Sequence, residues 1–197
     1  MDDASFGELD DLRIAEPSEA LIPTLDSNRT VQAMGTVSAD DLHIFLREET
    51  LREIVTYAKS DLGHELGGVL PGSFHQYRGR LWVGIDGYIR AQKYVNTAAS
   101  FKFTHDSWSA ISREKEARFA DVPLVGWQHT HPGYGVFLSG MDLFIQSNFF
   151  NLPYQVALVV DPRADTLGFF QWKRGKVAPC GFFYVRDRIP AGRQRGI

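Results

Sequence analysis

The chain has a single cysteine, Cys180, so it can close no disulfide within itself. Cys180 sits between Pro179 and Gly181 beside the aromatic run Phe182-Phe183-Tyr184, the setting of a buried structural thiol, and no cysteine-protease signature surrounds it. There is no apolar run near the roughly 18 residues of a membrane span, and Met1-Asp2-Asp3-Ala4-Ser5 lacks the basic and apolar regions of a signal peptide. The expectation is a cytoplasmic protein with no membrane partner. Positive charge is not in excess either: the formal net charge is -3, which leaves no basic field to hold nucleic acid. Internal repeats and low-complexity blocks are absent.

What is present suits one packed domain: 197 residues, of which 44% are hydrophobic, about the size of a single core with short extensions. Residues 1–36 are rich in acids (Asp2, Asp3, Glu8, Asp10, Asp11, Glu16, Glu19) and carry Pro17 and Pro23. They read as a flexible extension that serves solubility, or docks a partner or screens the site. Residues 37–185 read as the domain, and residues 186–197, with Arg186, Arg188, Arg193 and Arg195, as a basic flexible tail.

Within the domain, Leu42 to Leu46 alternates as a strand with His43 on its exposed face, and Glu48 to Leu62 has helical spacing at Leu51, Ile54, Val55 and Ala58. Glu65 to Leu70 reads as a strand. Pro71 to Arg80 reads as a turn with His75 at its tip, and Leu81 to Ile89 as the returning strand. Lys93 to Phe103 looks extended, Thr104 to Phe119 helical with His105 at its entry, and Tyr154 to Val160 a buried strand. Asp161 to Asp165 is a turn, and Leu167 to Lys173 and Val177 to Val185 are strands. This order gives an α/β class, an α+β sandwich with a central sheet flanked by helices.

The chemistry concentrates in Gly126 to Asp142, GWQHTHPGYGVFLSGMD. Leu124 to Trp127 reads as a buried strand, and alternation then points His129 and His131 the same way, their Cα atoms about 7 Å apart at a rise of roughly 3.3 Å per residue. Two imidazoles at that spacing can share one ion. Pro132, Gly133 and Gly135 end the strand, and Ser139-Gly140-Met141-Asp142 has the spacing of a capped helix start. An aspartate in the first helical turn is held ionised. Two histidines and one carboxylate leave a coordination position open, as in catalytic zinc sites. Each half alone is ordinary: H-x-H on a strand is commonly a hydrogen-bonded pair, and S-x-x-D a capping box. Their conjunction makes His129, His131 and Asp142 candidate metal ligands.

That conjunction, HTHPGYGVFLSGMD, resembles the H-x-H-P and S-x-x-D signature of the JAMM (MPN+) metalloprotease family, especially its proteasome-lid deubiquitinase and signalosome deneddylase branches. The resemblance implies a JAMM/MPN domain with a cytidine-deaminase-like layout and a central mixed, curved sheet. It also implies one Zn2+ ion, with Glu65, in Glu65-Leu66-Gly67-Gly68-Val69-Leu70, as the base that takes a proton from water and delivers it to the leaving amine. Ser139 becomes a donor to the oxyanion. The implied substrate is a ubiquitin or ubiquitin-like protein conjugate cut after the modifier's C-terminal glycine, with Lys93 to Phe103 as a wall for the modifier's tail or else a plain sheet edge, and with a dimer or partner subunit as a further association. Two positions depart from the pattern: Thr130 stands where serine is common, and Gln128 where these branches have tyrosine, which would change local substrate contacts. The short segment after Asp161-Pro162 suits a compact prokaryotic form, as in an antiphage conjugation system. Alternative readings are a JAMM peptidase that processes sulfur-carrier or other ubiquitin-like precursors, and a non-catalytic MPN scaffold. A deaminase is disfavoured because the H-x-E and P-C-x-x-C pattern is missing.

Overall fold

The computed structural model of the chain describes residues 16–92, 95–97 and 100–188. In chain order the strands and helices are β1 (Ser18–Glu19), β2 (Arg29–Met34), β3 (His43–Arg47), α1 (Glu48–Ala58), β4 (Gly67–Tyr77), β5 (Arg80–Ile85), β6 (Ile89–Arg90), β7 (Val95–Thr97), β8 (Ser100–Lys102), α2 (His105–Phe119), β9 (Leu124–Thr130), α3 (Gly140–Phe149), β10 (Val156–Asp161), β11 (Thr166–Lys173), β12 (Lys176–Cys180) and β13 (Phe182–Asp187). The strands other than β7 and β8 join one mixed sheet in the order β12-β11-β10-β9-β4-β5-β3-β13-β2, with β1 and β6 beside β4. The expected α/β layout with a curved mixed sheet is found. No helix among the described residues is long and apolar enough to cross a membrane.

β4 is the strand on which the sheet bends. Its first half, Gly67 to Leu70, pairs with β9 and β6, and its second half, Gly72 to Tyr77, pairs with β5 and β1, with an irregularity at Leu70/Pro71 between them. Glycine is required where the layers approach. A Cβ on Gly68 would lie 2.2 Å from the Ile89 carbonyl oxygen and 2.6 Å from the Tyr88 ring. Gly68→Ala is therefore expected to cost about 1–3 kcal/mol through overpacking, read from the denaturation midpoint, and an unchanged midpoint would show that β4 and β6 can separate without loss.

One core lies between the sheet and α1, with Ile44, Leu46, Ile54, Val83, Val125 and Leu158. A second, with Val69, Ile111, Trp127, Ile145 and Phe150, lies under α2 and α3. A third corrects the sequence reading. Ile22 packs with Phe45, Trp82 and Val185, and β2 pairs antiparallel with β13 from Arg29↔Asp187 to Met34↔Phe182, so residues 18–34 form part of the sheet structure rather than an extension. The boundary at residue 36 moves accordingly, and that at 185 moves past Asp187. Residues 1–15 and 189–197 lie outside the described residues.

Covering that face also explains His43. Expected to be exposed, it is 7% exposed, with its ring 5.2 Å from that of Phe183 and its Nε2 3.2 Å from Arg80 Nη1. Burial and the Arg80 charge hold the imidazole below its usual pKa. His75 is likewise not at a turn. It lies in β4 with its ring 4.3 Å from that of Trp82, and the turn is Arg78-Gly79, both with positive φ (51° and 77°), as a two-residue hairpin requires. Phe150 and Phe182 are buried and serve the core. Of the expected wall, β7 and β8 pair antiparallel as their own two-stranded sheet, while residues 93, 94, 98 and 99 lie outside the described residues. A cavity of about 390 Å3 lies beneath the N-terminal segment, between Pro23, Arg29, Arg47 and Trp82. It shares no residue with the cluster described next.

Candidate metal centre

β9 runs parallel to β10 and antiparallel to β4, buried on both faces from Val125 onward. Alternation places Trp127, His129 and His131 on one side: the Trp127 and His129 rings stack at 4.5 Å, and the His129 and His131 rings lie 4.7 Å apart. Thr130 and Gln128 face the other way. Gln128 is 1% exposed and accepts the Tyr88 hydroxyl at 2.7 Å, an internal contact. After His131 the chain turns through Gly133 and Gly135, both left-handed at φ 86° and 85°, and enters α3.

Ser139 caps α3 as its spacing predicts. Its Oγ accepts the Asp142 backbone N–H at 3.2 Å, and Asp142 Oδ2 accepts the Ser139 N–H at 2.6 Å, the reciprocal pair of a capping box. This fixes the carboxylate, with Oδ1 toward His129 and Oδ2 toward His131. His129 Nε2 and His131 Nε2 are 3.0 Å apart, His129 Nε2 to Asp142 Oδ1 is 3.2 Å, and His131 Nε2 to Asp142 Oδ2 is 3.5 Å. Two bonds of about 2.0–2.1 Å at a tetrahedral angle put donor atoms roughly 3.3 Å apart. The three side chains therefore fit one cation without rearrangement, and among the described residues no other group of His, Cys, Asp or Glu side chains is so arranged.

The charges agree with that fit. Burial raises the Asp142 carboxyl, but hydrogen bonds from His129 and His131 outweigh it and hold it far below the carboxylate range. Burial dominates at His129 and keeps it neutral, whereas at His131 burial is outweighed by Asp142 and Glu65 and the imidazole is raised. A cation would replace that proton. His131 is oriented by its other nitrogen, since Nδ1 lies 3.3 Å from the Gly135 carbonyl, the arrangement that leaves Nε2 for a metal.

Glu65 is drawn into the same place from the far side. It is 4% exposed, with Oε1 3.8 Å from His131 Nε2, and it precedes β4 rather than lying in it. Thr130 ties it down: its Oγ1 accepts the Leu66 N–H and its own N–H donates to the Leu66 carbonyl, each at 2.8 Å. The hydroxyl of Thr130 thus holds the Glu65 loop against the histidine strand. His64, next in sequence, is exposed and 3.0 Å from Asp61, and His105 is exposed at the first position of α2. Cys180 has its thiol pushed up to about 12 by burial and the Asp41 charge, which makes it inert.

The structure thus brings together Glu65, His129, His131, Ser139 and Asp142. Sequence reasoning passed over two supports. Gln146 accepts the Trp127 indole N–H at 2.8 Å and donates to the Phe150 and Gln155 carbonyls at 2.8 and 3.1 Å, locking α3 to β9. Its one legible signal is that it follows Asp142 by four residues, on the same helix face. Asp161, read as a turn residue, accepts the backbone N–H groups of Gly133 and Gly135.

No family model matches the chain. Over 80 residues it is 52% identical to COP9 signalosome complex subunit 5 of Debaryomyces hansenii, covering 39% of this chain and 17% of that protein. Over 67 residues it is 52% identical to 26S proteasome non-ATPase regulatory subunit 14 of Drosophila melanogaster (34% and 20%), and over 160 residues 26% identical to 26S proteasome regulatory subunit RPN11 of Eremothecium gossypii (76% and 48%). The chain spans less than half the length of these relatives. In fold it is similar to a solution structure of a Desulfitobacterium hafniense protein, with a TM-score of 0.55 at 17% identity, over 75% of this chain and 95% of that one. Over the matched stretches the chain is similar to these proteasome and signalosome subunits, and its fold and the H-x-H-P and S-x-x-D residues gathered at one buried centre agree with the JAMM/MPN+ resemblance.

Proposed function

We propose that the chain is a zinc-dependent isopeptidase of the JAMM type, which hydrolyses the bond after the C-terminal glycine of ubiquitin or a ubiquitin-like modifier. The observation that carries this reading is the meeting of a second, non-liganding acid, Glu65, with the buried His129, His131 and Asp142 cluster. A structural zinc site is closed by protein ligands, whereas three donors with an acid alongside leave room for a reacting molecule. When bound by the three side chains, zinc supplies Lewis-acid polarisation.

Glu65 takes a proton from the attacking water and passes it to the leaving amine, so the broken C–N bond ends as a carboxylate and an amine. Ser139 has its oxygen engaged as an acceptor, which leaves its O–H to donate to the oxyanion of the tetrahedral intermediate. Exposed Phe137, with its ring 4.6 Å from that of His131, makes an apolar rim at which a narrow Gly-Gly tail passes and a bulkier one is refused. The names of the relatives support subunits of proteasome and signalosome assemblies as the setting, and the short segment after Asp161-Pro162 suits a modifier from a prokaryotic conjugation system. The β7–β8 pair is the surface we assign to the modifier's tail. The unit we assign to this activity runs from Ser18 to Asp187.

The test is metal analysis followed by cleavage of an isopeptide-linked ubiquitin-like conjugate. About one zinc per chain is expected, with cleavage abolished by a chelator and restored by zinc. A protein that holds less than about half a zinc per chain and leaves every conjugate intact would instead be a scaffold. One that holds zinc but cuts only sulfur-carrier adducts would be a precursor-processing peptidase.

A further inference from the structure

The buried carboxylate of Asp161 takes no part in the chemistry above, yet it accepts four backbone hydrogen bonds. It is 2% exposed and ends β10 directly beside His131, because the parallel register sets Val160 opposite Thr130 and the His131 N–H donates to the Val160 carbonyl at 2.8 Å. Oδ1 accepts from Gly133 N–H at 2.8 Å, Arg163 N–H at 3.0 Å and Ala164 N–H at 3.2 Å, while Oδ2 accepts from Gly135 N–H at 2.9 Å. The bonds to Arg163 and Ala164 are local and shape the turn after β10. Those to Gly133 and Gly135 reach back 28 and 26 residues to a loop whose glycines are both left-handed. Without a partner, such a loop has many conformations open to it.

We propose that Asp161 is a positioning residue of the metal centre: it anchors the Gly133–Gly135 loop so that the Gly135 carbonyl meets His131 Nδ1 and keeps Nε2 aimed at the cation. The contact it controls is long, 3.3 Å, so a small displacement of the loop breaks it. Although burial raises the Asp161 carboxyl, the N–H groups of Gly133, Gly135, Ala164 and Arg163 outweigh it, so the group is anionic when it holds the loop. The same turn reaches the other half of the site. The Arg163 guanidinium donates to the Leu62 carbonyl at 3.3 and 2.9 Å, in the loop that leads into Glu65. This inference rests on the zinc reading of His129, His131 and Asp142.

Asp161→Asn isolates the claim. The amide keeps one acceptor oxygen, which can serve the three donors now on Oδ1, and sets an NH2 group against the Gly135 N–H. The local turn is kept and the Gly135 anchor is lost. Zinc affinity, measured by competition with a chromophoric chelator, is expected to fall 10- to 100-fold, as when an outer-shell partner of a ligand is removed. The zinc-free variant is expected to fold, with its unfolding midpoint lowered by the loss of one buried hydrogen bond. Equal zinc affinity in parent and variant overturns the role of Asp161 alone, and a parent that binds no zinc overturns both it and the reading of the centre. Should the variant fail to fold, the ring nitrogens of His131 in the zinc-loaded parent decide by NMR. A proton on Nδ1, hydrogen-bonded and slow to exchange, supports the anchored carbonyl, and a proton on Nε2 overturns it.

Discussion

Glu65→Gln is expected to leave zinc bound and to lower the turnover of an isopeptide-linked conjugate by about 10²–10⁴-fold, the usual worth of a positioned general acid or base. The substitution is nearly isosteric, so the side chain keeps its place beneath the Leu66–Thr130 pair of hydrogen bonds. On the proposed mechanism only proton transfer is removed, because an amide cannot accept a proton from water. Zinc is retained because Glu65 is not one of the three converging donors. At 3.8 Å from His131 Nε2 its oxygen stands beyond hydrogen-bond contact. A purely structural Glu65 would behave differently, since burying an amide in place of a charge would shift the unfolding midpoint and leave the rate alone. Three measurements on one preparation separate these cases: metal content, steady-state cleavage and thermal unfolding. Undiminished cleavage removes Glu65 from the mechanism, and loss of zinc makes it a fourth ligand.

How far the sequence discloses this site depends on the distance over which each contact acts. The turn of β9 into its histidines and the Ser139–Asp142 cap are set by neighbours within a few residues, so alternation and capping rules suffice to place His129, His131 and Asp142. Glu65 needed the family likeness, because its burial depends on Thr130, 65 positions further on. Asp161 and Gln146 were missed for the same reason: a carboxylate that accepts distant backbone N–H groups looks, in sequence, like any aspartate before a proline. The N-terminal segment failed differently. Its acids and prolines dilute the apolar signal, and the alternation in Arg29–Met34 acquires meaning only once β13 is there to pair with it. With that segment in place, the face of β3 that carries His43 and Phe45 is covered, and a histidine that alternation alone would expose becomes a buried one.

Asp142 carries two duties, a cap and a facing carboxylate for the histidines, and substitutions can separate them. Oδ2 closes the capping box with the Ser139 N–H at 2.6 Å and lies 3.5 Å from His131 Nε2, while Oδ1 faces His129 Nε2 at 3.2 Å. Asp142→Asn retains an acceptor for the Ser139 N–H, so α3 is expected to start where it does now. The anionic donor is gone, however, and an amide oxygen is a poor substitute beside two neutral imidazoles. Zinc affinity should fall by more than the roughly 10–100-fold that loss of an outer-shell partner costs, and cleavage should fall with it. Asp142→Ala removes the acceptor as well, and its zinc-free form should be less stable than that of Asp142→Asn by about 0.5–2 kcal/mol, the range for a lost helix cap. The order of the three proteins therefore differs between the two measurements. Parent stands far above both variants in zinc affinity, whereas Asp142→Ala falls below Asp142→Asn in zinc-free stability. If the asparagine variant held zinc as tightly as the parent, the carboxylate would be a cap and nothing more, and two histidines alone would be too few donors for a zinc centre of this kind.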